Sequence, residues 1–404
     1  MSESQGSGSG VGGAGGRATQ GAGTGPGVVG NGRPDGVGAP RVVEEDGASP
    51  GAGAPVLITG GAGFIGTNLA DRLARSGRRV LLYDNLSRPG VANNVAWLVT
   101  RHGALVEVVV ADIRDEATLR AAVARSSAVF HFAAQVAVTT SVVDPVRDFE
   151  VNARGTLNVL EAVRARGGGI PVVYTSTNKV YGGLRGLRLE RAGRRYTPED
   201  RVIRELGISE DWPLELHSPY GCSKGAAEQY VLDYARTYGL TAIVFRMSCI
   251  YGPHQFGTED QGWVAHFLIR ALRGEPITLY GDGMQVRDAL YIDDLVDAFL
   301  LAVEHAETLS GRAFNIGGGA KHTVSLLELI ESIEELHGAA PRLEFRNWRL
   351  GDQRYYVSDT RRFEELTGWA PRVGIGEGLQ RLYEWLMTAR VVPGASPAVV
   401  GVRH

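Results

Sequence analysis

The chain has 404 residues, with 42 Lys and Arg against 45 Asp and Glu and a formal net charge of -3. A near-even balance without long one-sign blocks excludes a nucleic-acid surface and a polybasic membrane anchor, which leaves small-molecule work as the default. Two cysteines, Cys222 and Cys249, without CxxC spacing exclude a disulfide scaffold and a zinc site; no metal is expected, and a reducing cytoplasm is the expected setting.

Residues 1–54 are mostly Gly, Ala, Ser and Pro with hardly any large apolar side chain, so burial cannot offset their ordering entropy and they read as a disordered tail. No basic start followed by an apolar run suggests a signal peptide, and no stretch is apolar for long enough to span a bilayer. From Pro55 the pattern changes to short β-branched runs alternating with amphipathic stretches, the mark of βαβ units around a parallel sheet. The expected strands are Val56–Thr59, Val80–Tyr83, Val106–Val110, Val129–Phe132, Val172–Thr175 and Ala242–Arg246. Helices are expected at Phe64–Ser76, Glu116–Ala124, Phe149–Ala165 and Lys224–Tyr238, several closed by Gly where a C-cap would fall.

The fold class is therefore α/β, a doubly wound Rossmann sheet over 55–253 with a smaller mixed C-terminal domain over 254–388. That second domain carries expected helices at Trp263–Arg273, Asp293–His305, Leu326–His337, Arg361–Leu366 and Gly376–Met387. Residues 389–404 read as a flexible tail. An Arg-rich insertion, 181–217, interrupts the first domain; a loop of that length is functional, disordered or locally folded.

The first strand runs into Gly60-Gly61-Ala62-Gly63-Phe64-Ile65-Gly66, a Gly-x-x-Gly-x-x-Gly turn that opens a helix. Glycine lets the backbone approach a pyrophosphate, whose charge sits on the free N–H groups of the helix. Asp84, at the end of the second strand, places a carboxylate for the adenosine ribose hydroxyls and would repel a 2′-phosphate, which favours NAD over NADP. Arg88 could grip that phosphate or be a solvated loop charge. Asp112, after the third strand, is placed for the adenine edge or as a helix N-cap.

Tyr220 and Lys224 stand four apart at the start of a helix and share a face. A tyrosine is a poor base at neutral pH, but a nearby ammonium and a nicotinamide cation both favour phenolate. Tyr220 can then take a proton from a sugar hydroxyl while hydride leaves the same carbon, with Lys224 also holding the nicotinamide ribose. The strand ending in Ser176-Thr177 puts hydroxyls at the sheet's carboxyl edge, where Thr177 can bond the reacting oxygen or serve as a strand-end turn residue.

Together Gly60, Gly63, Gly66, Asp84-Asn85, Asp112-Ile113, His131-Phe132-Ala133-Ala134, Asn152, Thr177, Tyr220/Lys224 and Tyr251-Gly252-Pro253 resemble the extended short-chain dehydrogenase/reductase family of NAD-dependent sugar-nucleotide epimerases and dehydratases. The resemblance implies that Phe64, Ile65, Asn85, Asp112, Ile113, Phe132, Ala133, Ala134 and Asn152 join the glycines and Asp84 around NAD, and that Thr177, Tyr220 and Lys224 are catalytic. It also implies substrate contacts from Gln135, Thr177, Asn178, Cys249, Gln261, Arg287, Arg349 and Asp352. Arg287 and Arg349 are the diphosphate candidates, since a guanidinium fork suits phosphate.

Family dehydratases follow the catalytic Thr with an Asp-Glu pair, because ejecting a C6 hydroxyl needs an acid and a base. Here Asn178 and Lys179 follow, which disfavours elimination and leaves epimerisation by oxidation, turning of the ketone and return of the hydride. The stretches Ser176–Gly182, Phe245–Ser248, His254–Phe256, Asp260–Val264 and Asp352–Arg354 resemble the branch that inverts C2 of a CDP-sugar through a 2-keto intermediate, which implies a homodimer or homotetramer. A 4-epimerase, a 4,6-dehydratase and a non-catalytic NAD-binding regulator are the alternatives; a regulator would need no Tyr220/Lys224 pair.

Overall fold

A computed structural model describes residues 53–349 and 351–389. The two expected tails lie outside the described residues, apart from 53, 54 and 389. Five strands open the fold: β1 (Val56–Thr59), β2 (Val80–Asp84), β3 (Val106–Val110), β4 (Ala128–His131) and β5 (Val172–Thr177). A hairpin of β6 (Leu189–Ala192) and β7 (Arg195–Pro198) precedes β8 (Ala242–Met247) and β9 (Cys249–Tyr251). The C-terminal stretch adds β10 (Ile277–Tyr280), β11 (Val286–Tyr291), β12 (Ala313–Ile316), β13 (Thr323–Ser325), β14 (Leu343–Arg346) and β15 (Tyr355–Tyr356).

Seven of these form one sheet in the order β12-β8-β5-β4-β1-β2-β3, every neighbouring pair parallel. The sequence order reverses between β1 and β4, which opens a crevice at their carboxyl ends, the place where open α/β sheets take ligands. Side chains alternate across the sheet: Val56, Ile58 and Leu82 pack into one buried cluster and Leu57, Leu81 and Tyr83 into the other. Both faces are covered by helices, so the strands are continuous apolar runs. The last strand, β12, comes from far along the chain and pairs with β8 from Ala313↔Val244 to Ile316↔Met247.

The smaller sheets build the far wall of the crevice. β11 pairs parallel with β9 and β15 and antiparallel with β13, and β10 pairs parallel with β14. The 181–217 insertion is locally folded: β6 and β7 pair antiparallel, the helix Arg201–Leu206 follows, and the segment is pinned to the C-terminal region. Arg195 grips Glu328 with Nη2 at 2.6 Å and Nε at 2.7 Å, and Tyr196 donates to Asp282 at 2.6 Å. Among the described residues no helix is long and apolar enough to cross a membrane.

Candidate active site

The glycine turn is built as the pattern predicts. Gly60 has φ 69°, and a Cβ there would lie 2.7 Å from the Ala133 nitrogen and 2.8 Å from the Phe132 carbonyl carbon. β1 and β4 thus meet so closely at the crevice that only glycine fits. At Gly66 a Cβ would sit 2.6 Å from the Gly61 Cα, so the helix Phe64–Arg75 docks backbone to backbone against the turn. Gly63, its N-cap, offers no side-chain cap and leaves the first N–H groups for another acceptor. This narrow, donor-rich turn fits the pyrophosphate of NAD.

Asp84 clips the turn from the side. Its Oδ2 accepts from the Ala62 N–H at 3.1 Å and its Oδ1 from the Leu86 N–H at 2.8 Å, while burial pushes its pKa up against those two bonds. Arg88 lies close enough to oppose that rise. Asp112 is no helix N-cap, a role Asp115 fills; it accepts from Arg114 Nε at 2.8 Å and from Asn85 Nδ2 at 3.0 Å, which holds its carboxyl well below the usual range. The Ile113 side chain is buried in the core beside Gly155.

From the N-terminus of the first helix, a cavity of about 620 Å³ runs across the ends of β4, β5 and β8 to the C-terminal wall. Phe64, Ile65, Phe132 and Ala134 line one end; Thr177, Asn178, Tyr220 and Lys224 the middle; Cys249, Gln261, Arg287, Arg349 and Asp352 the other. Gln135 does not line it: its amide is turned back on its own loop, donating to the Ala137 carbonyl and accepting the Ala137 N–H. Asn152 is also behind the wall, where its Oδ1 accepts the Gln135 N–H at 2.8 Å and its Nδ2 lies 3.0 Å from Ser223 Oγ.

The helix Ser218–Tyr238 begins two residues before Tyr220, six before Lys224. The Thr177 side chain lies beside that of Tyr220, whose N–H donates to Ser141 Oγ at 3.1 Å. Lys224 donates from Nζ to the Thr175 carbonyl at 2.6 Å and lies 4.3 Å over the Tyr174 ring. The expectation of a Tyr220 pulled down by the neighbouring ammonium is not met. Burial pushes Tyr220 up to about 12 and Lys224 down to about 7, because the ammonium is turned to a carbonyl and a ring face rather than to the phenol.

Sequence reading missed Asp148. It is wholly buried, accepts from Ser223 Oγ and Asn152 Nδ2, and opposes the loss of charge on Lys224. Its four-residue spacing from Asn152 on one helical face was the available signal. Gln353 was missed too: it accepts from Asn178 at 3.4 Å and donates to the Gly182 carbonyl at 2.7 Å, closing the C-terminal wall onto β5. At that wall Arg287 pairs with Asp352 at 2.7 Å, and Arg349 pairs with Glu259 and Asp260 at 3.2 Å each while stacking 3.7 Å over the Tyr280 ring.

Comparison with known proteins places this geometry. Residues 56–317 match the model of the NAD dependent epimerase/dehydratase family. CDP-paratose 2-epimerase of Salmonella typhi is 41% identical over 337 residues, 82% of this chain and 98% of that protein. UDP-glucose 4-epimerase of Mycolicibacterium smegmatis is 36% identical over 81% of this chain and 97% of that protein. Among solved structures, the UDP-glucose 4-epimerase of Thermus thermophilus in complex with NAD superposes with a TM-score of 0.69 at 34% identity, covering 83% of this chain and 99% of that one.

Proposed function

The chain belongs to the NAD dependent epimerase/dehydratase family, and from that premise we propose that it epimerises a nucleotide sugar at C2, as a CDP-paratose 2-epimerase does. The observation that carries this reading is the shared cavity: Thr177, Tyr220 and Lys224 line the same space that reaches Phe64 and Ile65 on the glycine-turn helix. Gly60, Gly63, Gly66 and Asp84 would hold NAD, with Phe132 and Ala134 along its course. Bound NAD supplies the hydride acceptor and gives the same hydride back, so the reaction has no net redox change.

Tyr220 takes the proton of the C2 hydroxyl as the carbon is oxidised and returns it on reduction, with the Thr177 hydroxyl bonded to the same oxygen. A phenol held at about 12 needs a nearby positive charge to act as base, and Lys224 together with a cationic ring beside it supplies one. The 2-keto sugar turns about its bonds to the nucleotide and presents its other face. Asn178 and Lys179, where dehydratases of the family carry an acid–base pair, favour this over loss of water. Arg287, Arg349 and Asp352 contact the nucleotide diphosphate and ribose.

The exposed apolar side chains Val143, Val146 and Phe149 support a homodimer or homotetramer, and two unpaired cysteines support a cytoplasmic setting. The test is isotopic. Protein purified with its NAD is offered CDP-paratose in deuterated water without added cofactor. Inversion with no deuterium at C2 is expected, whereas solvent deuterium at that carbon sinks the hydride-return mechanism.

A further inference from the structure

The cavity walls carry four cationic side chains, Lys179, Lys224, Arg287 and Arg349. Three have carboxylate company. Arg349 is matched by Glu259 and Asp260, Arg287 by Asp352, and Lys224 feels Asp148 and Glu228 behind it. Lys179 forms no ion pair among the described residues; its ammonium donates to the Gly351 carbonyl at 3.2 Å. The nearest carboxylate it feels, Asp352, already accepts from Arg287 and from the Gln353 N–H.

The backbone fixes this lysine in place. Thr177 ends β5 and caps the single helical turn Asn178–Tyr181, its hydroxyl accepting the Lys179 N–H at 3.2 Å. Asn178 is tied to Gln353, so the turn cannot swing away from the C-terminal wall. Lys179 therefore lines the same cavity as Arg287 from β11, Cys249 from β9 and Asp352, and it feels the Arg287 cation and the one carboxylate of Asp352, which is bonded to Arg287. Burying such an excess of positive charge is costly unless an anion arrives with the ligand.

We propose that Lys179 binds the diphosphate of the nucleotide sugar, forming with Arg287 a two-cation cradle beside Thr177 and Tyr220. The assignment rests on the nucleotide-sugar reading above and sharpens it. A diphosphate is a dianion and matches the second cation that Asp352 leaves unpaired. It also orients the sugar. C1 carries the phosphate and C2 is its neighbour, so a diphosphate held two residues along the chain from Thr177 brings the C1–C2 edge to the hydroxyl pair, while C4 lies across the ring.

Burial and the Arg287 charge push Lys179 down to about 8, with Asp352 and Cys249 acting the other way. A bound diphosphate favours the ammonium, so affinity is full below pH 8 and falls as the pH rises through that value. The test uses the NAD-loaded full chain and CDP, UDP, GDP and dTDP as sugar-free probes, titrated calorimetrically between about pH 7 and 9. Lys179→Met and Lys179→Gln are expected to bind the preferred diphosphate about tenfold or more weaker at about pH 7, since a hydrogen bond to a charged group is lost. They are also expected to lose the decline at higher pH, while retaining NAD and binding the matching free nucleoside unchanged. Variants that keep wild-type affinity, or keep its pH slope, overturn the Lys179 assignment alone. A wild-type chain that binds none of the four probes overturns the nucleotide-sugar reading with it.

Discussion

Tyr220 and Lys224 are buried side by side, yet burial moves them toward the same uncharged condition from opposite ends, up to about 12 and down to about 7. Burial therefore resists charge on both groups, so a base at Tyr220 depends on positive charge beside it. Tyr220→Phe keeps the ring, the Ser141 contact through the backbone N–H and the helix start, and removes only the hydroxyl. It should lower kcat/KM by about 10²–10⁴-fold, the usual worth of a positioned acid–base group, with bound NAD unchanged by absorbance; full turnover in this variant would remove Tyr220 as the base. Much of the site was legible because strand ends concentrate chemistry: Thr177 closes β5, Asp84 closes β2, and the glycine turn follows β1. Gln135 and Asp148 were not. Gln135 belongs to the right loop but folds its amide inward, and Asp148 acts through Ser223 and Asn152, a relation that exists only once the two helices pack.

At the scale of elements, helix C-termini came within a residue or two where a glycine follows, as at Phe64–Arg75 before Gly77 and Leu326–His337 before Gly338. The helix Val91–His102 escaped notice because Asn93-Asn94 and three valines are poor helix formers; buried Leu98 and the contact of Trp97 with the core decide it instead. β12 escaped because four residues inside a Gly-rich stretch carry no period, and β6–β7 because its short strands are rich in charged and polar residues. One tie between elements is readable in its pH behaviour. His131 bridges β1 and the helix Gly155–Ala165, with Nδ1 2.7 Å from Thr59 Oγ1 and Nε2 3.0 Å from Thr156 Oγ1. Burial, with Lys224 nearby, pushes it down to about 3. The unfolded chain takes up that proton near pH 6.5 and the folded chain only near 3, so protonation favours unfolding as pH falls across that window. Urea midpoints should therefore drop between about pH 6.5 and 4 by the equivalent of about 3 kcal/mol from this residue. His131→Gln should flatten that decline, and an unchanged slope in the variant would assign the acid sensitivity elsewhere, with His254 the next candidate.

Among the described residues, a pair of short helices carries large apolar side chains in exposed positions. Val143, Val146 and Phe149 are 85%, 67% and 56% exposed on the two short helices Val138–Val143 and Pro145–Phe149. Such a cluster on a surface helix pair marks an interface more often than a chance scatter of apolar residues. The same segment reaches inward, since Val138, Thr139 and Val142 line the cavity and Ser141 accepts the Tyr220 N–H. Association on this face would press on the helix that holds Tyr220, the proposed base, so oligomer state and activity should move together. Sedimentation equilibrium is expected to give a dimer or tetramer for the wild type. Val143→Asp with Val146→Asp should give a monomer, because burying two carboxylates against a second copy without cationic partners costs several kcal/mol. That monomer should retain NAD, whose glycine turn lies on other elements, but show a raised KM through the loosened Val138–Val143 wall. A double variant that stays oligomeric would move the interface to another face. A monomer with wild-type KM would leave the interface where it is and cut its link to the cavity.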